Sequence, residues 1–154
     1  MQLINSLINW FNVKRIYQIE LFKKYPFDVQ REHLFKILDR AEKTEWGKKY
    51  DFGSIESVKN FQERVPIQKY EDMKPYVDRL LKGESDVLWP GTMKWFAKSS
   101  GTTSDKSKFI PVTKEALEMC HFRGGKDTLA LYFSNFPDSR LFSGKGLVLG
   151  GSQQ

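Results

Sequence analysis

Apolar residues recur at three- and four-residue spacing through the first eighty positions, which is the period of an amphipathic helix. Leu3, Leu7, Trp10, Phe11, Ile16, Ile19 and Phe22 form one such stripe and predict a helix over residues 3–24. Pro26 ends it, because the residue before a proline is pushed out of the helical region, and Asp28 is suited to cap the next helix. Val29, Leu34, Leu38 and Ala41 supply the buried stripe of a second helix over about 29–44, stopping near Trp46-Gly47. Ser54 is suited to cap a short helix through Phe61. Beyond Pro66, the positions Tyr70, Met73, Val77, Leu80 and Leu81 predict a helix over 69–82.

From residue 86 the pattern changes. Val87-Leu88-Trp89, Lys94-Trp95-Phe96-Ala97 and Phe109-Ile110-Pro111-Val112 are short apolar runs that read as strands. Thr113 is a good cap for a helix over 114–134 carrying Leu117, Cys120, Gly124, Leu129 and Phe133. Within it, Gly124-Gly125 costs about 1 kcal/mol per residue relative to alanine. The pair reads either as a tolerated break or as a close approach to a neighbour. Leu147-Val148-Leu149 has the continuous aliphatic character of a strand covered on both faces. Gly150-Gly151-Ser152 then stands either as a strand-ending turn or at the end of the strand where open sheets bind ligands. The fold class is α/β, with a mainly helical lead-in over 1–85 and strands, a polar loop and a helix over 86–154.

That polar loop carries the candidate chemistry. Ser99-Ser100-Gly101-Thr102-Thr103-Ser104-Asp105-Lys106-Ser107-Lys108 sets six hydroxyls, a glycine and two lysines between two apolar runs. Glycine lets the backbone bend close to a ligand, and successive N–H groups on such a bend make an anion-binding nest to which hydroxyls and ammonium groups add. Phosphate fits this set best. The same residue types also make an ordinary polar turn. A Walker loop needs a second glycine before its lysine, and position 106 is Lys, so a P-loop ATPase or GTPase is disfavoured.

Ser99-Ser100-Gly101-Thr102-Thr103, with Lys108 five residues later, resembles the first nucleotide-binding motif of the adenylate-forming superfamily. Continued as Lys108-Phe109-Ile110-Pro111-Val112-Thr113, it is similar to the auxin-responsive promoter family of acyl-acid–amido synthetases, particularly bacterial members. Thr44-Glu45-Trp46-Gly47-Lys48-Lys49-Tyr50, Val65-Pro66-Ile67-Gln68-Lys69-Tyr70-Glu71-Asp72 and Trp95-Phe96-Ala97-Lys98 resemble the same family, so the likeness covers essentially the whole chain. It implies ATP, with Mg²⁺, as the nucleotide, and a carboxylic acid and an amino acid as substrates. The acid is activated as an acyl-adenylate and the amine then displaces AMP. Ser99, Ser100, Gly101, Thr102 and Thr103 become the nucleotide-binding turn, and Lys108 the phosphate-neutralising lysine. Lys106 and Lys98 have no firm counterpart. Asp105 departs from the glycine many members carry and is expected to point to solvent. The resemblance also implies that residues 1–154 are the N-terminal part of one large adenylate-forming domain, an inactive fragment by itself.

Composition narrows the alternatives. The net charge of +6, from 25 basic and 19 acidic residues, is spread without a block of like charge, so no nucleic-acid arm is visible. Cys120 is the single cysteine, which excludes an internal disulfide and reads as a buried apolar residue. His33 and His121 are too few and too far apart in sequence for a zinc site. The N-terminus lacks the basic start and small-residue cleavage site of a signal peptide, and no run is long enough to span a membrane. A cytoplasmic protein without membrane partners is expected. The competing reading is a non-catalytic helical module built on the 3–44 stripe, binding a partner or a membrane surface through Lys14, Arg15, Lys23 and Lys24. Single-stranded nucleic-acid binding through the aromatics is the weakest alternative, because those aromatics sit at core spacing.

Overall fold

The computed structural model describes residues 2–99, 107–139, 141 and 145–147, with side chains from Asn12 onward. A long first helix, α1 (Gln2–Lys24), is followed after one residue by α2 (Pro26–Ala41). Pro26 takes the first helical position, where a missing N–H costs nothing. Asp28 lies inside the first turn of α2 and makes no capping bond, so the start is set by the proline and not by an aspartate cap. Leu38 and Ala41 are the buried residues of α2.

The second helix begins and ends about three residues earlier than predicted. It stops at Ala41, and a separate short helix, α3 (Glu45–Lys49), begins after Thr44. Thr44 is 1% exposed. Its hydroxyl donates to the Ala41 carbonyl at 2.7 Å and accepts from the Gly47 N–H at 3.0 Å. One side chain thus closes α2 and opens α3. Gly47 is obligatory at this joint, since a Cβ there would stand 2.1 Å from the Ala41 carbonyl oxygen and 2.6 Å from that of Glu42.

A 3₁₀ turn (Phe52–Ser54) precedes α4 (Val58–Arg64). Ser57, not Ser54, caps α4, accepting from the Asn60 N–H at 3.1 Å. The helix α5 (Tyr70–Leu81) follows as its spacing predicts and buries Val77 and Leu80, whereas Leu81 is exposed. Its start is fixed by Asp72, whose carboxylate accepts from the Lys69 N–H at 2.9 Å.

Val87-Leu88-Trp89 forms no strand. An antiparallel bridge between Ser85 and Thr92 closes a loop across it, with Asp86 in the left-handed region and its carboxylate accepting from the Gly91 N–H at 2.8 Å. The carbonyls of Asp86 and Val87 accept from the Glu45 and Trp46 N–H groups at 2.8 and 3.0 Å. Backbone acceptors that a strand would use for its own ladder here satisfy the first turn of α3.

Among the described residues two apolar clusters result. Leu38, Ala41, Phe52 and Ile55 form one, with Phe61 and Val65 against it. Leu80, Val87 and Met93 form the other, with Tyr76 and Phe96 against it, and Trp89 packs on both. Lys49 adds a polar clasp, its ammonium 5.1, 5.3 and 5.4 Å from the rings of Trp46, Tyr50 and Tyr76 and donating to the Tyr76 hydroxyl at 2.9 Å.

The strands β1 (Trp95–Lys98) and β2 (Phe109–Val112) pair antiparallel, Ala97 opposite Ile110 and Lys98 opposite Phe109. Thr113 then caps a helix as expected, accepting from the Ala116 N–H at 2.9 Å. That helix runs as α6 (Lys114–Ala116), a π-turn (Leu117–Phe122) and α7 (Arg123–Asn135). Cys120 lies on the π-turn and is exposed, contrary to its apolar surroundings in sequence. The extra residue of a π-turn rotates the faces of the helix, so a straight 3.6-residue count misplaces the positions after Leu117. Gly124 and Gly125 have no heavy atom within 4 Å of an added Cβ, so tolerance explains them among the described residues.

Arg15 of α1 holds Asp127 of α7 with two hydrogen bonds, at 2.5 and 2.6 Å. The guanidinium is therefore engaged with α7 and largely covered. Leu147 is exposed and in no strand, while Val148, Leu149 and Gly150-Gly151 lie outside the described residues.

Candidate functional site

The β1–β2 pair brings the two ends of the Ser/Thr/Gly segment together. In this register Ser99 and Lys108 are the next partners beyond Lys98 and Phe109. The Ser99 N–H donates to the Lys108 carbonyl at 2.9 Å. The reciprocal bond does not go to the Ser99 carbonyl; the Lys108 N–H donates to Ser99 Oγ at 3.1 Å. Accepting that bond fixes the serine rotamer and leaves the hydroxyl hydrogen as a donor. Both residues are half-buried, and Ser107 beside them is exposed.

Tyr70, the first residue of α5, approaches the same point from outside the sheet. Its ring centroid is 5.3 Å from the Lys108 ammonium. Its hydroxyl accepts from the Phe109 N–H at 3.0 Å and lies 3.4 Å from the Phe109 carbonyl. The ladder parity explains this contact. Lys108, Ile110 and Val112 turn their backbone groups toward β1, so Phe109 and Pro111 turn theirs outward. Pro111 has no N–H to leave unpaired, which suits an edge, and Tyr70 takes that of Phe109. Tyr70 is in a segment whose sequence resembles the family, yet no sequence signal ties it to the loop, because the contact spans 39 positions.

Of the sequence-derived site residues, the structure therefore joins Ser99 and Lys108. Ser100, Gly101, Thr102 and Thr103 lie outside the described residues, as do Asp105 and Lys106. Lys98 is exposed at the end of β1. The helix after β2 is anchored by Glu115, which accepts from Trp89 Nε1 at 3.3 Å and lies 3.6 Å from Arg40. Its carboxyl is held below the usual range, first by a backbone hydrogen bond and then by Trp89 and Arg40. A shallow cleft of about 630 Å³ on α2 shares no residue with Ser99 and Lys108. Its charges are mixed, Arg31 and Lys36 pairing with Asp28 and Glu32 beside Asp39. Among the described residues no group of three or more His, Cys, Asp or Glu is placed to hold a metal ion.

Residues 15–154 match the GH3 family N-terminal domain. The chain belongs to the GH3 family. This GH3 chain is 31% identical over 118 residues to indole-3-acetic acid-amido synthetase GH3.2 of Arabidopsis thaliana, covering 76% of this chain and 22% of that protein. With indole-3-acetic acid-amido synthetase GH3.4 of the same plant it shares 32% over 136 residues, covering 88% and 22%. With jasmonoyl–L-amino acid synthetase JAR4 of Nicotiana attenuata it shares 31% over 104 residues, covering 67% and 18%. Among solved structures, GH3.15 acyl acid amido synthetase superposes with a TM-score of 0.69 at 28% identity, over 77% of this chain and 21% of that one. The GH3 chain thus spans about a fifth of the length of the curated relatives it matches, and its helix-rich lead-in and small strand pair correspond to the N-terminal part of that fold.

Proposed function

We propose that this chain forms the N-terminal part of the large domain of an ATP-dependent acyl-acid–amido synthetase, with residues 1–85 as a helical lead-in and 86–154 carrying the nucleotide loop. A carboxylate oxygen of the acid attacks the α-phosphorus of ATP, the bond to the β-phosphate oxygen breaks, and pyrophosphate leaves. The amine of an amino acid then attacks the acyl carbon, AMP departs, and the ammonium proton is lost to solvent as the amide forms. Relatives named for indole-3-acetic acid and jasmonate indicate the acid class, a small hydrophobic carboxylate. We place the reaction in the cytoplasm, where ATP is supplied.

The observation that supports this reading best is the Ser99–Lys108 pair, in a chain of this family. The work of the loop is electrostatic: a donor hydroxyl and an ammonium held at fixed positions stabilise charge on the β- and γ-phosphates without reorganising during attack. Mg²⁺ would arrive on the phosphates, held by their oxygens and water, and offset charge there. Gly101 gives the backbone its approach to the nucleotide, and Ser100, Thr102 and Thr103 add donors.

The deciding experiment is ATP–pyrophosphate exchange by the complete reading frame over a panel of carboxylic acids. Exchange that needs one acid, and falls at least tenfold in Lys108→Ala with folding intact, is the expected result. Absence of exchange together with absence of ATP binding would refute adenylation.

A further inference from the structure

We propose that Tyr70 is a positioning residue of the nucleotide loop, holding the Lys108 arm at the angle that phosphate binding requires; this rests on the adenylation reading above. Three contacts converge on one side chain. The phenol oxygen caps the outward N–H of Phe109 at 3.0 Å. The same oxygen lies within reach of the Phe109 carbonyl, at 3.4 Å. The ring face stands 5.3 Å from the Lys108 ammonium.

Each contact removes a different freedom. Outer-edge groups of a two-stranded pair have no neighbouring strand, and such an edge is free to twist or to recruit another strand. Tyr70 takes the place of that strand at the one outward N–H that β2 offers, since Pro111 has none. Fixing Phe109 fixes the backbone of Lys108, the preceding residue, whose N–H is at the same time committed to Ser99 Oγ. The ring then confines the lysine stem by cation–π attraction. Ser99 and Lys108 are thereby locked in one geometry by a residue from a different element.

The source of the rigidity is local to α5. Tyr70 occupies the first position of that helix, and Asp72 closes the first turn onto the Lys69 N–H. Val77 and Leu80 bury the helix further along. The run Lys69-Tyr70-Glu71-Asp72 is therefore one device: an aspartate that sets the helix start, and a tyrosine aimed by that start at the loop stem.

The test compares Tyr70→Phe, Tyr70→Leu, Lys108→Ala and Tyr70→Leu/Lys108→Ala in the complete protein. ATP dependence of exchange is the kinetic readout, and amide hydrogen exchange at Phe109 the structural one. Tyr70→Phe keeps the ring and loses the hydroxyl, so Phe109 exchange should accelerate and KM for ATP rise about three- to tenfold with kcat nearly unchanged, the worth of one neutral hydrogen bond. Tyr70→Leu loses both and should raise KM further. The double variant should be no worse than Lys108→Ala, because the tyrosine acts through the lysine. Unchanged KM in both Tyr70 variants of an active enzyme would overturn the proposal and leave adenylation standing. So would a double variant whose losses multiply alongside a fall in melting temperature, the mark of a merely structural residue. A wild-type protein that neither exchanges pyrophosphate nor binds ATP would fail at the adenylation reading itself and take this proposal with it.

Discussion

Gly47 is the residue at which sequence and packing meet most tightly. Its missing side chain is what lets the start of α3 sit against the last carbonyls of α2, with Thr44 bonded to both sides. Gly47→Ala would put a methyl into backbone atoms that cannot rotate away, so the joint must open. The expected loss is about 1–3 kcal/mol, the usual cost of overpacking a closed site. Urea unfolding measures it, and a change below about 0.5 kcal/mol, the ordinary surface range, would mean the joint yields easily. Sequence marks this glycine as part of a motif but does not show why. The reason is a contact with a carbonyl from the preceding helix, which residue type and apolar spacing do not reveal.

At the scale of elements, the α1–α7 clasp is the interaction most open to test. Arg15 and Asp127 pair across 112 positions, each side chain about one-fifth exposed. Asp127 is held below the usual carboxylate range, chiefly by its hydrogen bond to Arg15. A carboxyl depressed in the folded state stabilises above its unfolded pKa of about 4 and loses that contribution as pH falls through the depressed value. Asp127→Asn should therefore cost up to about 1 kcal/mol near neutral pH and almost nothing near pH 2.5. Urea titrations of both proteins across that range give the comparison, and a gap that stays constant with pH would show that the pair contributes no charge-dependent stability. The helix periods announced α1, α2 and α5 correctly, and Thr113 was legible as a cap. The π-turn was not, because an inserted residue changes the phase without changing the residue types. Val87-Leu88-Trp89 has the composition of a strand but forms none, the carbonyls of Asp86 and Val87 at its start being claimed by α3.

For the whole molecule, Trp89 is the link between the two apolar clusters. Its indole N–H also reaches Glu115 at the start of the helix that follows β2. Trp89→Ala should cost about 3 kcal/mol and should uncouple the halves, so that hydrogen exchange in α2 and in α5 no longer reports one cooperative opening. A single opening retained in the variant would show that the clusters communicate by another route.

Sequence alone determined the helices with clean apolar periods, the strands on either side of the hydroxyl-rich loop, and the identity of Ser99 and Lys108 as its ends. These follow from local information: side-chain spacing, proline and glycine positions, and a motif read within ten residues. Only the tertiary structure decided where α2 stops, that Ser57 caps α4 in place of Ser54, that Cys120 is exposed and that Arg15 is paired. It alone brought Tyr70 to the edge of β2. The Arg15–Asp127 and Tyr70–Phe109 contacts span 112 and 39 positions, and the energy of such a contact is absent from any local window. The Thr44 and Ser57 caps act over three residues, but which of several neighbouring hydroxyls is engaged depends on backbone geometry that residue type alone does not specify.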